Sequence, residues 1–417
     1  MNRPTGTPVP ADPPVGEHRP PFPPSSRMLV TALAITQTIG YGTLYYAFAV
    51  ILVPIAADLH TSATAVTGAF TASVLASAVL AVPIGRRLDR HGGRALMTCG
   101  SLLGTVLLVL WSHVEQVWQL YAVQLGIGVA SAASLYEAAF AVIIAWHQPR
   151  QRSSALLALT VVAGFASTIF LPLTGWLTDQ HGWRTALLVL AGIHAVTGPL
   201  HATVVRRPPS AGPHTVTRHR DAGTRAVRAA LADRGFWLLT AGFTAHTTAT
   251  SAYTLLLVAA LTTWGHPPAF AATIAGLLGL LSVAGRLITT GLQRRYRTTT
   301  ITAGVFALQA AAALLLPAVG ATTGGAVLAV VGFGLGFGVA TIAKPVILAE
   351  RYDTRRYATL AGILVAPMAL AKAGAPLAAA ALHAATSSYT PVLAIVAACC
   401  AVAAIAIAVC SRPTAQP

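Results

Sequence analysis

Long apolar runs, separated by short polar segments, fill the chain from about residue 28 onward. A helix rises about 1.5 Å per residue, so about 20 mainly apolar residues cross a bilayer core of about 30 Å. This pattern predicts an all-α membrane protein. Its twelve predicted spans are 28–53, 63–85, 95–113, 117–144, 154–177, 185–205, 236–263, 268–289, 299–319, 323–347, 358–383 and 387–411.

One long polar stretch, residues 206–235, divides the twelve spans into two sets of six. The fourth span contains Gly126 and Gly128, which align with Gly334 and Gly336 of the tenth span at an offset of 208 residues. This alignment indicates an internal repeat, with chance similarity between alanine- and glycine-rich spans as the alternative. Two six-helix halves in the same orientation predict a pseudo-two-fold axis, with a substrate site between them near the midplane.

The same pattern gives the domain organisation. The first residues of the chain are rich in proline and poor in apolar side chains, which is typical of a disordered segment. We expect five parts: a disordered cytoplasmic arm at 1–27, an N-terminal bundle at 28–205, a basic cytoplasmic linker at 206–235, a C-terminal bundle at 236–411 and a cytoplasmic tail at 412–417.

Arginine positions predict the orientation of the spans, because cytoplasmic loops of membrane proteins carry an excess of arginine and lysine. With both termini in the cytoplasm, 24 of the 25 arginines fall on the cytoplasmic side and only Arg184 lies on the other. This assignment places Arg286 at the cytoplasmic end of the eighth span. The preference for arginine over lysine is typical of a GC-rich bacterial genome, so we expect a multi-pass protein of the inner, plasma membrane.

The composition supports a membrane protein and excludes other classes. Only 9% of the residues are charged, whereas soluble domains carry about 25%. The net charge of +16 does not indicate a nucleic-acid partner, because the basic residues lie in short clusters between apolar runs. The four cysteines lie in apolar stretches without metal-ligand spacing, so we expect neither a disulfide framework nor a metal site. We also expect no cofactor.

A short motif follows the second span. Residues 85–94, GRRLDRHGGR, contain Gly85, Asp89, Arg90, Gly92 and Arg94 in the spacing G-x-x-x-D-R-x-G-x-R. In this motif the chain resembles the major facilitator superfamily, and the resemblance extends from about residue 28 to residue 411. The sequence GWR at 182–184 is also similar to that family, whereas Arg87 and Gly93 replace the residues that are usual in the motif.

The resemblance implies a rocker-switch carrier with spans 1, 4, 7 and 10 around a central cavity. It implies that Gly85 and Gly92 permit tight helix ends, and that Asp89 faces the N-terminus of span 11, where the helix dipole favours an anion. Arg90 and Arg94 would tie the cytoplasmic ends of the helices together. The alternative for this segment is an ordinary cluster of cytoplasmic arginines.

Three charged side chains fall inside predicted spans: Glu137, Lys344 and Lys372. A charge at depth costs about 2.5–3.5 kcal/mol on insertion scales, so each is a candidate functional residue. Lys372 lies too deep in span 11 to reach water easily, and the second half has no acidic residue at its depth. We interpret Lys372 as a group that binds an anionic substrate. The alternative is a lysine bonded to carbonyls freed near Pro367 or Pro376.

Glu137 and Lys344 lie at similar depths on spans 4 and 10, in opposite halves. We hypothesise that they pair when the cytoplasmic side is closed and separate when it opens. Glu137 is also a candidate proton carrier, because a carboxyl group held away from water can exchange a proton near neutral pH. The alternatives are that Lys344 extends to the membrane surface and that Glu137 bonds to a hydroxyl such as that of Ser134.

Two polar stripes add candidates for substrate binding, because helical spacing places their members on one helix face. On span 1 these are Gln37, Tyr41 and Tyr45, and on span 7 they are His246, Thr250 and Tyr253. Aromatic walls with a few hydrogen-bonding groups suit a small organic ligand. The alternative for both stripes is ordinary packing between helices.

These features predict a secondary active transporter that moves a small organic solute by alternating access. Because lysines outnumber the glutamate inside the spans, we expect an organic anion such as a carboxylate, with the proton as the coupling ion. The alternative is a proton-driven exporter of amphipathic drugs or metabolites. No clustered catalytic residues are visible, so we expect no enzyme activity, and we expect a monomer in the lipid bilayer.

Overall fold

The computed structural model describes residues 24–206 and 218–410. Within these residues the chain forms seventeen α-helices and no strand. The helices of the first half are α1 (Pro24–Tyr41), α2 (Ala47–Asp58), α3 (Ala63–His91), α4 (Gly93–Ser112), α5 (Val117–Ser134), α6 (Tyr136–Trp146), α7 (Pro149–Ala163), α8 (Ala166–Ala195) and α9 (Thr197–Val204). Those that follow are α10 (Arg218–Ala232), α11 (Arg234–Thr263), α12 (Pro268–Leu292), α13 (Thr298–Val319), α14 (Thr323–Phe337), α15 (Val339–Arg351), α16 (Tyr357–Thr386) and α17 (Thr390–Cys410).

The helices combine into spans. Span 1 consists of α1, a π turn at Gly42–Tyr46 and α2; spans 2 and 3 are α3 and α4; span 4 is α5 with α6; and α7, α8 and α9 form spans 5 and 6. In the second half, α11, α12 and α13 are spans 7, 8 and 9, α14 with α15 is span 10, and α16 and α17 are spans 11 and 12. Helix α10 belongs to the connection between the halves.

The lengths of the helices account for twelve membrane crossings. Ten continuous helical stretches in the described residues are long and apolar enough to cross a membrane. One of them, Pro149–Val204, has 56 residues and turns at Gly182, where φ is 77°, so it crosses twice. Helix α11 is not among the ten, but its 30 residues are also sufficient for a crossing. The predicted all-α fold with two sets of six spans is therefore confirmed.

Many large apolar side chains lie on the outside of this bundle. Val79, Leu280, Leu328 and Leu377 are each about 70% exposed. Apolar surface of this extent is unusual for a protein in water and is expected where a protein faces lipid.

Several helices extend beyond the spans that the sequence predicts. Helix α3 continues to His91 and α12 to Leu292. Asp89 therefore lies within a helix, and Arg286 lies six residues before the end of α12 rather than at its end. Within the predicted linker, α10 is helical and α11 already begins at Arg234. Most of the predicted arm and the tail 412–417 lie outside the described residues.

The two ends of the bundle differ in how their cores are divided. We call the end that carries the loops after spans 2, 4, 8 and 10 the arginine-rich end, because Arg86, Arg90, Arg150, Arg294 and Arg355 are exposed there. At this end one apolar cluster joins both halves, and it includes Phe140 and Ile143 of the first half and Phe243, Phe306 and Leu360 of the second.

At the opposite end each half has its own core. The second half packs around Tyr253, Phe333 and Val392, and the first half packs around Phe48 and Trp111. The halves are thus joined at the arginine-rich end and separately packed at the other. We call the region between the halves at the middle of the spans the cleft.

Spans 2 and 11 approach each other closely at the arginine-rich end. A Cβ atom on Gly85 would collide with the carbonyl oxygen of Ala358, and one on Gly362 would collide with that of Ala81. Glycine at both positions lets the two backbones touch, and any side chain there would separate the halves.

Candidate functional site

Four tyrosines from the first half line the middle of the cleft. Tyr41, Tyr45 and Tyr46 belong to span 1, and Tyr136 is the first residue of α6 in span 4. The rings of Tyr41 and Tyr136 lie 4.4 Å apart between centroids, and those of Tyr45 and Tyr46 lie 5.3 Å apart. The π turn at residues 42–46 carries both Tyr45 and Tyr46.

Lys372 faces these tyrosines from the second half. It is the sixteenth of the 30 residues of α16, so it lies at the middle of span 11. Its Nζ atom is 4.6 Å from the centroid of the Tyr45 ring. A cation at this distance is attracted to the negative face of the ring. Lys372 forms no salt bridge within the described residues.

A second cation lies beside the same tyrosines. Arg286 of span 8 donates from Nη1 to the carbonyl oxygen of Thr160 in span 5, across the cleft, at 2.7 Å. Its Nε is buried and has no partner in the described structure. The guanidinium interacts electrostatically with Tyr136, Tyr46 and Tyr41, so it lies among the cleft tyrosines.

The position of Arg286 corrects the sequence analysis, which placed it at the cytoplasmic end of span 8. Six more residues of α12 follow it, and at about 1.5 Å each they extend about 9 Å beyond it. These residues, 287–292, carry no charge. That uncharged continuation is the signal by which the sequence could have shown Arg286 to be inside the membrane.

These side chains place two positive charges beside phenol groups. An ammonium and a guanidinium from the second half face phenol groups of the first half, and the described residues supply no carboxylate to either cation. The guanidinium can hold a carboxylate with two parallel hydrogen bonds, and the ammonium acts as a point charge. Among the described residues, no three His, Cys, Asp or Glu side chains are placed to hold a metal ion.

Closer to the arginine-rich end, an ion pair joins the halves. Lys344 donates from Nζ to Oε1 of Glu137 at 2.5 Å. The side chain of Lys344 is 9% exposed and that of Glu137 is 32% exposed. The other carboxylate oxygen of Glu137 is buried without a partner in the described structure. The pair therefore links span 4 of the first half to span 10 of the second.

Comparison with known proteins identifies the family. The model of the Major Facilitator Superfamily matches residues 33–376. The chain belongs to this superfamily. This is a family of membrane transporters and not of enzymes.

Individual relatives match only part of the chain. An MFS-type efflux pump of Mycolicibacterium smegmatis is 31% identical over 179 residues, which are 42% of this chain and 41% of the pump. A probable galactarate/D-glucarate transporter of Escherichia coli is 24% identical over 145 residues, which are 33% of this chain and 32% of that transporter. The matches thus cover less than half the length of either relative.

Solved structures of other transporters match the whole fold. The fucose:proton symporter FucP of Escherichia coli has a TM-score of 0.72 at 15% identity, over 93% of this chain and 98% of that chain. The human organic anion transporter MFSD10 also has a TM-score of 0.72 at 15% identity, over 93% and 100% of the two chains. At this identity the likeness concerns the fold alone.

The loop motif that resembles the major facilitator superfamily lies between spans 2 and 11. Asp89 accepts hydrogen bonds from the backbone amides of Ala358 and Thr359, at 3.0 and 2.9 Å, and from the hydroxyl of Thr359 at 2.5 Å. Its carboxylate thus caps the N-terminal end of α16 from the opposite half. Gly92 adopts a φ of 77° between α3 and α4, a conformation that favours glycine. The remaining motif arginines, Arg90 and Arg94, are exposed.

Three residues predicted to bind substrate lie inside a bundle of this superfamily fold and not at the cleft. Gln37 is fully buried and donates to the carbonyl oxygen of Ser134 at 2.8 Å. His246 lies 3.0 Å from Oε1 of Gln309, and Tyr253 stacks on a phenylalanine of its own half. Helical spacing places His246 and Tyr253 on one face of span 7, but that face packs against neighbouring helices of the same half.

Proposed function

We propose that the protein is a secondary carrier of small organic anions, and that Lys372 and Arg286 bind the anionic group of the substrate. One observation carries this proposal: two cations from the same half project among tyrosines at the middle of the membrane, without an acidic partner in the described residues. Tyr41, Tyr45, Tyr46 and Tyr136 would surround the bound substrate.

The energetics favour an anionic ligand over a neutral or cationic one. A cation in the membrane interior is costly unless a counter-charge or water accompanies it. An incoming carboxylate supplies that counter-charge to both Lys372 and Arg286. A cationic ligand would add like-charge repulsion at the same place. Two cations favour a substrate with two anionic groups, or one whose single carboxylate lies between them.

The relatives add support of a different kind. The names of one sequence relative and one structural relative refer to organic anions: galactarate and D-glucarate in the first, an organic anion transporter in the second. The receptor geometry here suits that class of solute.

The ion pair of Glu137 and Lys344 supplies a means of coupling. It holds the arginine-rich end closed, and protonation of Glu137 would remove the negative charge that attracts Lys344. Opening of that end would then follow proton uptake, which makes transport proton-coupled. We place the arginine-rich end in the cytoplasm of a bacterial inner membrane, with both termini on that side, because the exposed arginines cluster there.

An efflux function is the second candidate, because an efflux pump is among the sequence relatives. Such a pump would bind amphipathic compounds mainly through its aromatic walls. The two functions differ in what the cations do: an anion carrier needs both Lys372 and Arg286, whereas an exporter of amphipathic compounds would retain transport without them.

The test is counterflow in proteoliposomes made with purified protein. Labelled mono- and dicarboxylates, an aldarate and a cationic dye would be offered to the unaltered protein and to Lys372→Gln and Arg286→Gln. The matched control is Arg294→Gln, which removes an exposed arginine of the loop after span 8. We expect anion counterflow that both cleft variants abolish and the control retains. Dye transport that persists in both variants, without anion transport in the unaltered protein, would overturn the proposal.

A further inference from the structure

Span 1 contains a π turn where its tyrosines face the cleft. The amide of Ala47 donates to the carbonyl oxygen of Gly42, five residues back, instead of four as in an α-helix. A π turn adds one residue to the hydrogen-bonded ring, so the helix before it is rotated relative to the helix after it. Such a turn is less stable than an α-helix and persists only where the surroundings hold it.

One contact that holds this turn comes from span 6. The hydroxyl of Thr43 donates to the carbonyl oxygen of Ile39 at 2.8 Å, and Nδ1 of His194 lies 2.7 Å from the same hydroxyl oxygen. Because a hydroxyl has only one proton, and Ile39 receives it, the imidazole must donate from Nδ1. We assign this tautomer from the hydrogen-bond network.

The rest of the imidazole fits that assignment. Nε2 of His194 is buried and has no partner in the described structure. It faces Gly104 of span 3, whose position has room for no side chain beside the ring. A proton on Nε2 would therefore be a buried donor without an acceptor, so the ring is neutral and donates only to Thr43.

A second contact with this turn comes from packing. A Cβ atom on Gly42 would collide with the ring of Phe170 in span 5. Thr43 and Leu44 are also buried. The turn thus contacts the phenyl ring through Gly42 and His194 through Thr43, and it also carries Tyr45 and Tyr46.

We propose that His194 is a positioning residue for the anion site: through Thr43 it holds the π turn that directs Tyr45 to Lys372. The charges of Lys372 and Arg286 both act on Tyr46, so this tyrosine lies near the two cations. This inference rests on the proposed function of the same site. It adds to the site a residue that lies outside the cleft.

The chain contains a matched contact that should not have this role. Thr36 of span 1 also donates to its own helix, at Leu33, and also bonds to a histidine of span 6, His201, at 2.9 Å. Thr36 lies seven residues before Thr43, about two helical turns, in a regular α-helix. Its loss removes the same kind of hydrogen bond without touching the π turn.

The first experiment compares Thr43→Val and His194→Leu with Thr36→Val in anion counterflow. We expect the first two variants to raise the half-saturation concentration for the anion about tenfold, which corresponds to the loss of about 1.4 kcal/mol of binding free energy. The control should change it less than about twofold. Thr43→Ser, which keeps the hydroxyl, and His194→Asn, which keeps a donor near Nδ1, should restore values close to those of the unaltered protein. Equal effects of Thr43→Val and Thr36→Val would reduce His194 to a structural role and overturn the proposal.

The second experiment needs no substrate, so it separates this inference from the proposed function. A reporter cysteine, Tyr46→Cys, would be placed in a variant whose four native cysteines are replaced by serine, and its rate of labelling by a small charged methanethiosulfonate would be measured. We expect Thr43→Val and His194→Leu to change that rate several-fold and Thr36→Val to leave it unchanged. An altered rate without any anion transport would mean that His194 orients the turn but that the substrate proposal is wrong. An unaltered rate would overturn the positioning role whatever the substrate.

Discussion

The ammonium of Lys372 lies 4.6 Å from the centroid of the Tyr45 ring, so spans 11 and 1 meet at the middle of the membrane. The contact joins opposite halves and uses a ring whose negative face attracts a cation. It keeps Lys372 directed into the cleft when no anion is bound.

Replacement of Tyr45 tests this contact. Tyr45→Phe keeps the ring face, so the affinity for anions should change less than about twofold. Tyr45→Leu removes the face, and the half-saturation concentration should rise about three- to thirtyfold, which corresponds to about 0.7–2 kcal/mol. Anion counterflow measures both. An equal loss of anion affinity in the two variants would contradict the cation–π contact. It would indicate that the hydroxyl of Tyr45 is responsible instead.

The ion pair of Glu137 and Lys344 predicts a charge-swap rescue. Either single reversal, Glu137→Lys or Lys344→Glu, leaves two like charges together, and breaking such a pair costs about 3–5 kcal/mol. Both single variants should therefore lose transport, and the double variant should recover a substantial part of it. The control is Asp58→Asn, which breaks the exposed ion pair with Arg184 at the opposite end. Loss of this exposed pair should lower the free energy of unfolding by less than about 1 kcal/mol. No recovery in the double variant would argue against a gate made by this pair.

The close approach of spans 2 and 11 predicts that a side chain at Gly85 prevents closure. In Gly85→Leu the leucine would meet the backbone at Ala358, and overpacking of this kind costs about 1–3 kcal/mol. The protein should then shift toward the state that is open at the arginine-rich end. A cysteine introduced at Ala361, which is 2% exposed, should become reactive to thiol reagents from that end.

A matched glycine provides the control for this steric effect. Gly276 in α12 has open space where a side chain would project. Gly276→Leu should leave both transport and the reactivity of the reporter unchanged. If both leucine variants behave alike, the close backbone contact does not control closure.

Asp233, outside the spans, predicts a pH dependence of stability. Partial burial favours the neutral acid, but hydrogen bonds from Tyr352 and the amide of Gly235, together with the charge of Arg351, lower the pKa of Asp233 below its ordinary value. The contribution to stability is therefore complete above the unfolded pKa and is lost only as the pH falls through the lower folded value. Asp233→Asn should reduce the melting temperature by about 1–2 °C equally at pH 6 and pH 8. The difference should vanish in strong acid, and a difference that grew between pH 8 and pH 6 would contradict this assignment.

The fold could be predicted from the sequence because each span is determined by its own short run of residues. Twenty apolar residues without charge have few alternatives to a membrane helix, and arginines at the loops mark the breaks. The pairing of Glu137 with Lys344 was also within reach, because a repeat places equivalent residues at equal depth. The structure brings the two atoms to 2.5 Å.

The details of the site depend on helix ends and helix faces, which the sequence records poorly. Arg286 was placed at a membrane surface because an arginine near the end of an apolar run usually lies there. His246 and Tyr253 share a helix face, but spacing alone cannot distinguish a face toward the cleft from a face toward its own bundle. Tyr46 was not predicted because it does not share the four-residue spacing of Tyr41 and Tyr45, and the π turn that carries it leaves no clear pattern in the sequence.

The apolar cluster that both halves share at the arginine-rich end makes the two directions of movement unequal. To open that end, the carrier must expose side chains such as Phe140 and Leu360 to water, whereas at the opposite end the described residues form a separate apolar cluster in each half. A carrier without substrate should therefore have its binding site open to the opposite side of the membrane. Opening of the arginine-rich end then requires free energy, which substrate binding must supply. A carrier without substrate should therefore seldom change its orientation.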